Sequence, residues 1–143
     1  MEIRLYHTLP EEARQIREKV FVQEQHFQEE FDGTDRRAVH LVLYQGGSPA
    51  ATCRYFQGVS PKEYLVGRMA VLKPFRGQNC GACLLARAEA EIRKEGGEIV
   101  RLHAQQRATP FYEKQGYSSY GPVEYEEQCP HVWMRKTLSW DGE

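Results

Sequence analysis

The chain has no run of apolar residues near the length that crosses a bilayer, and Met1-Glu2-Ile3-Arg4 does not open a signal core. A cytoplasmic protein is therefore expected, with no membrane partner. It has no basic excess either. Its 19 Lys and Arg stand against 20 Asp and Glu, for a net charge of −1, which argues against a nucleic-acid partner. Cysteine is scarce: Cys53, Cys80, Cys83 and Cys129 are the only four. In a cytoplasmic setting they read as reduced thiols rather than a disulfide framework. A zinc site from Cys80, Cys83, Cys129 and His131 would lack the second close ligand pair of structural zinc, so no metal is expected. Repeats, linkers and low-complexity segments are absent. At 143 residues the chain suits one domain spanning 1–143 with a real core.

Alternation over residues 2–6 predicts a strand. Pro10, Glu11 and Glu12 suit the first turn of a helix. Ala13, Ile16, Arg17, Val20 and Phe21 recur at helical spacing and carry that helix to about residue 25. Residues 26–35 read as a loop. Strands follow over 39–44, 50–56 and 64–72, with Gln45-Gly46-Gly47-Ser48 as a hairpin turn. A helix over 82–95 carries one apolar stripe, Gly81, Leu84, Leu85, Ala88 and Ile92, and ends at Gly96-Gly97. A strand over 99–104, a short helix over 109–115 and strands near 117–120 and 131–138 complete the chain. The order β-α-β-β-β-α-β-α-β-β predicts an α+β fold. Its central sheet is mixed and mostly antiparallel, with helices on both faces in an α/β/α layering.

The stretch Arg76-Gly77-Gln78-Asn79-Cys80-Gly81-Ala82 lies between a predicted strand and a predicted helix. Such a turn makes an anion site, because the first N–H groups of the helix are unpaired and its dipole favours negative charge. Small residues let a phosphate approach the backbone. No Lys-Ser or Lys-Thr follows, so it is not a P-loop, and the glycine spacing of a dinucleotide fingerprint is missing.

Arg76-x-x-Asn79-x-Gly81 resembles the Gln/Arg-x-x-Gly-x-Gly/Ala signature of the GNAT superfamily of N-acetyltransferases. Ala104-Gln105-Gln106-Arg107-Ala108-Thr109-Pro110-Phe111-Tyr112-Glu113-Lys114-Gln115-Gly116-Tyr117 resembles that family's Ala-x-x-Phe-Tyr-x-x-x-Gly-Phe/Tyr element. Three further stretches resemble its small bacterial ElaA-like branch: Ile16-Arg17-x-x-Val20-Phe21-Val22-x-Glu24-Gln25, Ala38-x-His40-Leu41-Val42 and Pro130-His131-Val132-Trp133-Met134. The resemblance covers nearly the whole chain. It implies the GNAT fold, with two parallel central strands splayed apart, here 64–72 and 99–104. It also implies acetyl-CoA as co-substrate and transfer to a primary amine by direct attack in a ternary complex.

The resemblance places the cofactor's diphosphate on Arg76, Gly77, Gln78, Asn79, Cys80, Gly81 and Ala82. The thioester carbonyl would lie along Met69, Ala70 and Val71, polarised by a free N–H near Ala70 and Val71. Gln105 and Phe111 would sit beside the thiol end. Tyr112 is the implied general acid for the leaving thiolate. Asn79 departs from the usual glycine but tolerates left-handed backbone better than most residues.

The acceptor side is less legible. Glu24, His40, Arg54, Arg68 and His131 are its candidate residues. Glu24, His40, His103 or a water held by Gln105 is the candidate base. Arg54 and Arg68 could hold an acidic part of the acceptor or pair with nearby acids. Glu24, Glu29, Glu30, Asp32 and Asp35, with no Lys or Arg among them, are expected to set up a negative field that attracts a cationic amine. Two rival readings stay open. One is a non-catalytic module that binds or senses acyl-CoA. The other is a thiol redox protein using Cys80 and Cys83, although these cysteines read better as packing residues. The late strands could pair between subunits in a homodimer.

Overall fold

The computed structural model describes residues 1–28 and 30–138. Seven strands form one sheet in the order β1-β2-β3-β4-β5-β7-β6. They are β1 (Glu2–Tyr6), β2 (Val39–Gln45), β3 (Ser48–Gln57), β4 (Glu63–Val71), β5 (Ile99–Gln105), β6 (Ser118–Glu126) and β7 (Cys129–Thr137). Three α-helices join them: α1 (Glu11–Arg17), α2 (Cys80–Lys94) and α3 (Thr109–Lys114). The expected element order is present. The helix expected to run to residue 25 does so, but beyond Arg17 it widens into π-helical turns over Glu18–Glu24.

Strand alternation sorts side chains into two layers. On one face Leu41, Leu43, Val100, Leu102, Ala104, Val132 and Met134 pack under α2, whose Leu84, Leu85, Ala88 and Ile92 are all buried, as the predicted stripe requires. Tyr112 of α3 joins that cluster. On the other face Ala13, Ile16, Val20 and Phe21 cover Val42, Tyr44 and Ala70. This second helix layer stops at β4. Beyond it the same face of β5 and β7 presents Arg101, His103, Gln105, His131 and Trp133, the alternates of the buried set.

β4 and β5 are the parallel pair, and they share only three residue pairs, Glu63–Ile99, Tyr64–Val100 and Leu65–Arg101. After Leu65 they part. β4 then carries a bulge: Thr52 faces Ala70 while Arg54 faces Gly67, and Arg68 takes a left-handed φ of 52°. One extra residue reverses the alternation. Val66 therefore faces α2, and Ala70 faces α1.

The loop after the π-helical turns is held by a buried charge network. Arg17, 1% exposed, donates from Nε to Glu30 at 2.6 Å and from Nη1 to Asp35 at 2.8 Å. Arg54 donates to Asp32 at 2.8 Å and Asp35 at 2.7 Å. Arg68 donates to the Glu30 carbonyl at 3.1 Å and to Asp32 at 3.3 Å. Burial alone would raise the carboxyl of Asp35, but the hydrogen bonds and charges of Arg17 and Arg54 outweigh it and hold it at about 2.

Removing one partner from such a network leaves uncompensated buried charge, at a cost of about 3–5 kcal/mol. Arg17→Met should lower the free energy of urea unfolding by that amount at neutral pH, through a lower midpoint at an unchanged m-value. A loss below about 1 kcal/mol would show that the network contributes little. Asp35 has a folded value below its ordinary 3.8, so its stabilisation is complete above that pH and is lost as pH falls through about 2. The penalty of Arg17→Met should shrink over that acidic window.

Candidate active site

The parting of β4 and β5 opens a cleft of about 730 Å³. The bulged half of β4 forms one wall, with Met69, Ala70 and Val71 lining it. The end of β5 and the start of α3 form the other, through Gln105, Phe111 and Tyr112. From Val66 onward β4 has no β5 partner, so the edge facing the cleft is relieved of its ladder.

The turn before α2 adjoins this cleft. Gly77 has φ 81°, and Asn79 sits at φ 64°, ψ 17°, the left-handed geometry its side chain tolerates. No side chain caps α2, and its first return bond runs from the Cys83 N–H to the Asn79 carbonyl at 3.0 Å. The N–H groups of Cys80, Gly81 and Ala82 therefore have no helical partner. A methyl group built on Gly81 would stand 3.2 Å from the Phe111 ring and 3.9 Å from Val71. The glycine thus sets how closely helix, ring and strand converge. Gln78 turns its amide to the Pro74 carbonyl at 3.3 Å. The Cys80 side chain faces the core, with its thiol toward the Phe75 carbonyl.

Arg76 lines the cleft, but its guanidinium is engaged. It donates from Nε to the Val71 carbonyl at 2.9 Å, and Nη1 and Nη2 grip both oxygens of Glu24, at 3.1 and 2.7 Å. It ties the end of the π-helical turns to the end of β4, in place of the expected free charge for a diphosphate. Tyr112 is 9% exposed and packs edge-on against Phe111 at 4.9 Å and Tyr117 at 6.0 Å. Burial raises its phenol well above the usual value, so it stays protonated and acts as a hydrogen-bond donor.

Several acceptor-side expectations need correction. His40 does not line the cleft. It is 1% exposed on β2, bonded through Nε2 to the Asp35 carbonyl at 2.9 Å, and burial lowers its pKa. The negative field is not free either. Glu24 is paired with Arg76, while Glu30, Asp32 and Asp35 face Arg17, Arg54 and Arg68. Glu29 lies outside the described residues. The partners come from α1, β3, β4 and the turn before α2, all outside the segment, which is why a local charge count missed them. By the same pairing, Arg54 and Arg68 hold the loop and not an acceptor anion, although both line the cleft. Glu24 and His131 also line it.

The sequence reading also overlooked residues here. Trp133, Phe27 and Glu126 line the cleft together with His103 and His131. Alternation on β7 was the available signal: Trp133 and His131 fall on the face opposite buried Val132 and Met134. Gln105 donates to Gln25 at 2.7 Å and accepts from Arg107 at 3.0 Å.

A family model described as an acetyltransferase (GNAT) domain matches residues 7–138. The chain belongs to the GNAT acetyltransferase family. It is 33% identical to YyaT of Bacillus subtilis (strain 168) over 134 residues, 90% of this chain and 88% of that one. Its fold is similar to that of Escherichia coli ElaA, with a TM-score of 0.83 at 25% identity, covering 94% of this chain and 98% of the other. An aminoglycoside 6′-N-acetyltransferase whose structure holds coenzyme A has a TM-score of 0.76 at 15% identity over the full length of both chains, a likeness of fold alone.

Within this GNAT architecture the cysteines have a packing role. Cys80 is buried, and burial, with Cys83 nearby, pushes its thiol up from the ordinary value. In a Cys83→Ser, Cys129→Ser background, alkylation by iodoacetamide should stay slow at pH 7 and rise only above about pH 9. Fast alkylation with a midpoint below about pH 8 would restore the redox pair.

Proposed function

We propose that this chain transfers an acetyl group from acetyl-CoA to a primary amine, by direct attack of the amine in a ternary complex. The observation that carries the reading is the junction of two features. One is a cleft opened by three-pair splaying of β4 from β5. The other is the uncapped N-terminus of α2, converging on that cleft through Gly81 and Phe111. A thioester cofactor with an anionic end needs both: a donor-rich anchor for the diphosphate and a slot for the pantetheine arm. The coenzyme A held by the aminoglycoside acetyltransferase of the same fold supports this choice of co-substrate.

The unpaired N–H groups from Cys80 to Ala82 receive the diphosphate oxygens. The pantetheine arm runs between the β4 and β5 walls. A backbone N–H near Ala70 or Val71 donates to the developing oxyanion of the thioester carbonyl, on an edge that splaying has released from its ladder. The amine nitrogen attacks the carbonyl carbon, and the carbon–sulfur bond breaks. Tyr112 donates its hydroxyl proton toward the leaving thiolate, and the nitrogen gives up the proton that restores the phenol. The products are an amide and the CoA thiol.

Acetyl-CoA consumption against a panel of amines, amino sugars, polyamines and peptides tests the reading. Binding of acetyl-CoA with no acylation of any amine would mark a binding module instead. Tyr112→Phe should cut turnover at least about tenfold while leaving CoA affinity within a few-fold, because the proton is used only in the chemical step. Unchanged turnover would remove Tyr112 from the mechanism. Gly81→Val should weaken CoA binding at least about tenfold in calorimetry, since its side chain must displace Phe111 from the mouth of the cleft. CoA affinity equal to the parent's would show that the anchor lies elsewhere.

A further inference from the structure

We infer that His103 is the base that deprotonates the acceptor, with Glu126 as the residue that positions and charges it; the inference rests on the acetyl-transfer reading above. The face of β5 and β7 that α1 leaves uncovered is built as a ladder. The Arg101 guanidinium lies 4.5 Å over the Trp133 ring. Trp133 stacks on His103 at 4.5 Å with 22° between planes. His103 meets His131 at 5.0 Å and 35°, and His131 meets the edge of Phe27 at 6.4 Å. The pairing of His103 with Trp133 and of Gln105 with His131 across the strands sets this order. The imidazole of His103 is therefore flanked by two rings, and a change of rotamer would unstack it from Trp133.

Its edge is equally fixed. Nδ1 bonds to the Glu126 carboxylate, which makes Nδ1 the protonated nitrogen of the neutral ring and leaves a lone pair on Nε2. Nε2 is shielded from solvent, and no described group makes a hydrogen bond with it. Glu124 Oε1 stands 3.4 Å away without a hydrogen bond's alignment. The charged and titratable groups around the ring are thus Glu124 and Glu126 of β6, His131 of β7 and, one ring further on, Arg101 of β5. The two carboxylates are the nearest of these.

The other candidates are committed elsewhere. Glu24 gives both oxygens to Arg76. His40 is outside the cleft. His131 donates from Nδ1 to the Cys129 carbonyl at 2.9 Å, a neutral partner that does not charge-stabilise an imidazolium. His103 alone combines a cleft position, a fixed tautomer and an ionised orienting group.

The step balances simply. The acceptor arrives as an ammonium, and Nε2 takes one proton, leaving a neutral amine and an imidazolium. The amine nitrogen forms the bond to the acetyl carbon as described above, and the imidazolium returns its proton to water after the amide leaves. Net, an ammonium and a thioester give an amide, a thiol and one released proton.

The test uses the whole protein in two readouts. In ¹⁵N-histidine-labelled protein, neutral His103 should show the Nδ1–H tautomer; an Nε2–H tautomer overturns the proposal whether or not an acceptor is known. In kinetics with an amine found by the panel, His103→Asn should lower kcat/KM about 100-fold at pH 7 and abolish the acidic limb of its pH profile, with CoA affinity within a few-fold of the parent. Glu126→Gln keeps an acceptor for the Nδ1 proton but removes the carboxylate, so kcat/KM should fall less than in His103→Asn while CoA affinity stays within a few-fold of the parent. A folded His103→Asn protein with parental kcat/KM and an intact acidic limb overturns the base alone. A parent that binds acetyl-CoA yet acylates no amine overturns the acyl-transfer reading and this proposal together.

Discussion

The parting of β4 and β5 after three residue pairs is the constraint on which the rest of the molecule depends. A parallel pair in the middle of a sheet would ordinarily continue, since each lost ladder bond forgoes about 0.5–1.5 kcal/mol. Here the parting at Leu65 is followed within three residues by the bulge at Arg68, which reverses the alternation of β4. A left-handed φ at a non-glycine residue costs about 1–2 kcal/mol. Its side chain explains why it persists: Arg68 reaches the Glu30 carbonyl and the Asp32 carboxylate, so the strained residue is anchored at its far end. The buried network of Arg17, Arg54 and their acids is thus coupled to the active cleft. It holds the loop that anchors the bulged half of β4, one wall of the cleft.

The same logic divides the sheet into two chemistries. Over β1 to β4 both faces are covered, and the interior is apolar apart from the paired charges. Over β5, β7 and β6 only the α2 and α3 face is covered. The opposite face keeps Arg101, His103, Trp133 and His131 in register because alternate residues on neighbouring strands stand side by side. A polar, aromatic surface beside an apolar slot suits a reaction in which a greasy thioester arm meets a hydrophilic amine.

Much of this was legible from the sequence. The stripe on α2, the Gly-Gly hairpin and the strand alternation each follow a period that one segment carries by itself. The turn at Asn79 was equally readable, because left-handed backbone selects for particular residues. What escaped was non-local. Arg17 falls in an apolar helical stripe and looks amphipathic, yet it is buried because Glu30 and Asp35 come to it across the fold. The acids after α1 looked like an open field for the same reason. The bulge in β4 was hidden inside an unbroken run, since Arg68 and Met69 carry no turn signature. Arg76 looked like a phosphate ligand, and only the placement of Glu24 reveals it as a clamp.

Burial of Tyr112 determines the pH range over which the proposed chemistry can run. Attack requires a neutral amine, whose fraction grows as pH rises. Protonation of the thiolate requires a neutral phenol, whose fraction falls as pH rises. In water, with an amine near 10.4 and a phenol near 10, these two demands leave almost no shared range. The apolar packing of Tyr112 against Phe111 and Tyr117 raises the phenol, and so widens that range from above. In the proposed mechanism the core that α3 joins therefore serves the chemical step. By keeping water from one hydroxyl, it lets the leaving-group donor stay protonated under the conditions that free the nucleophile.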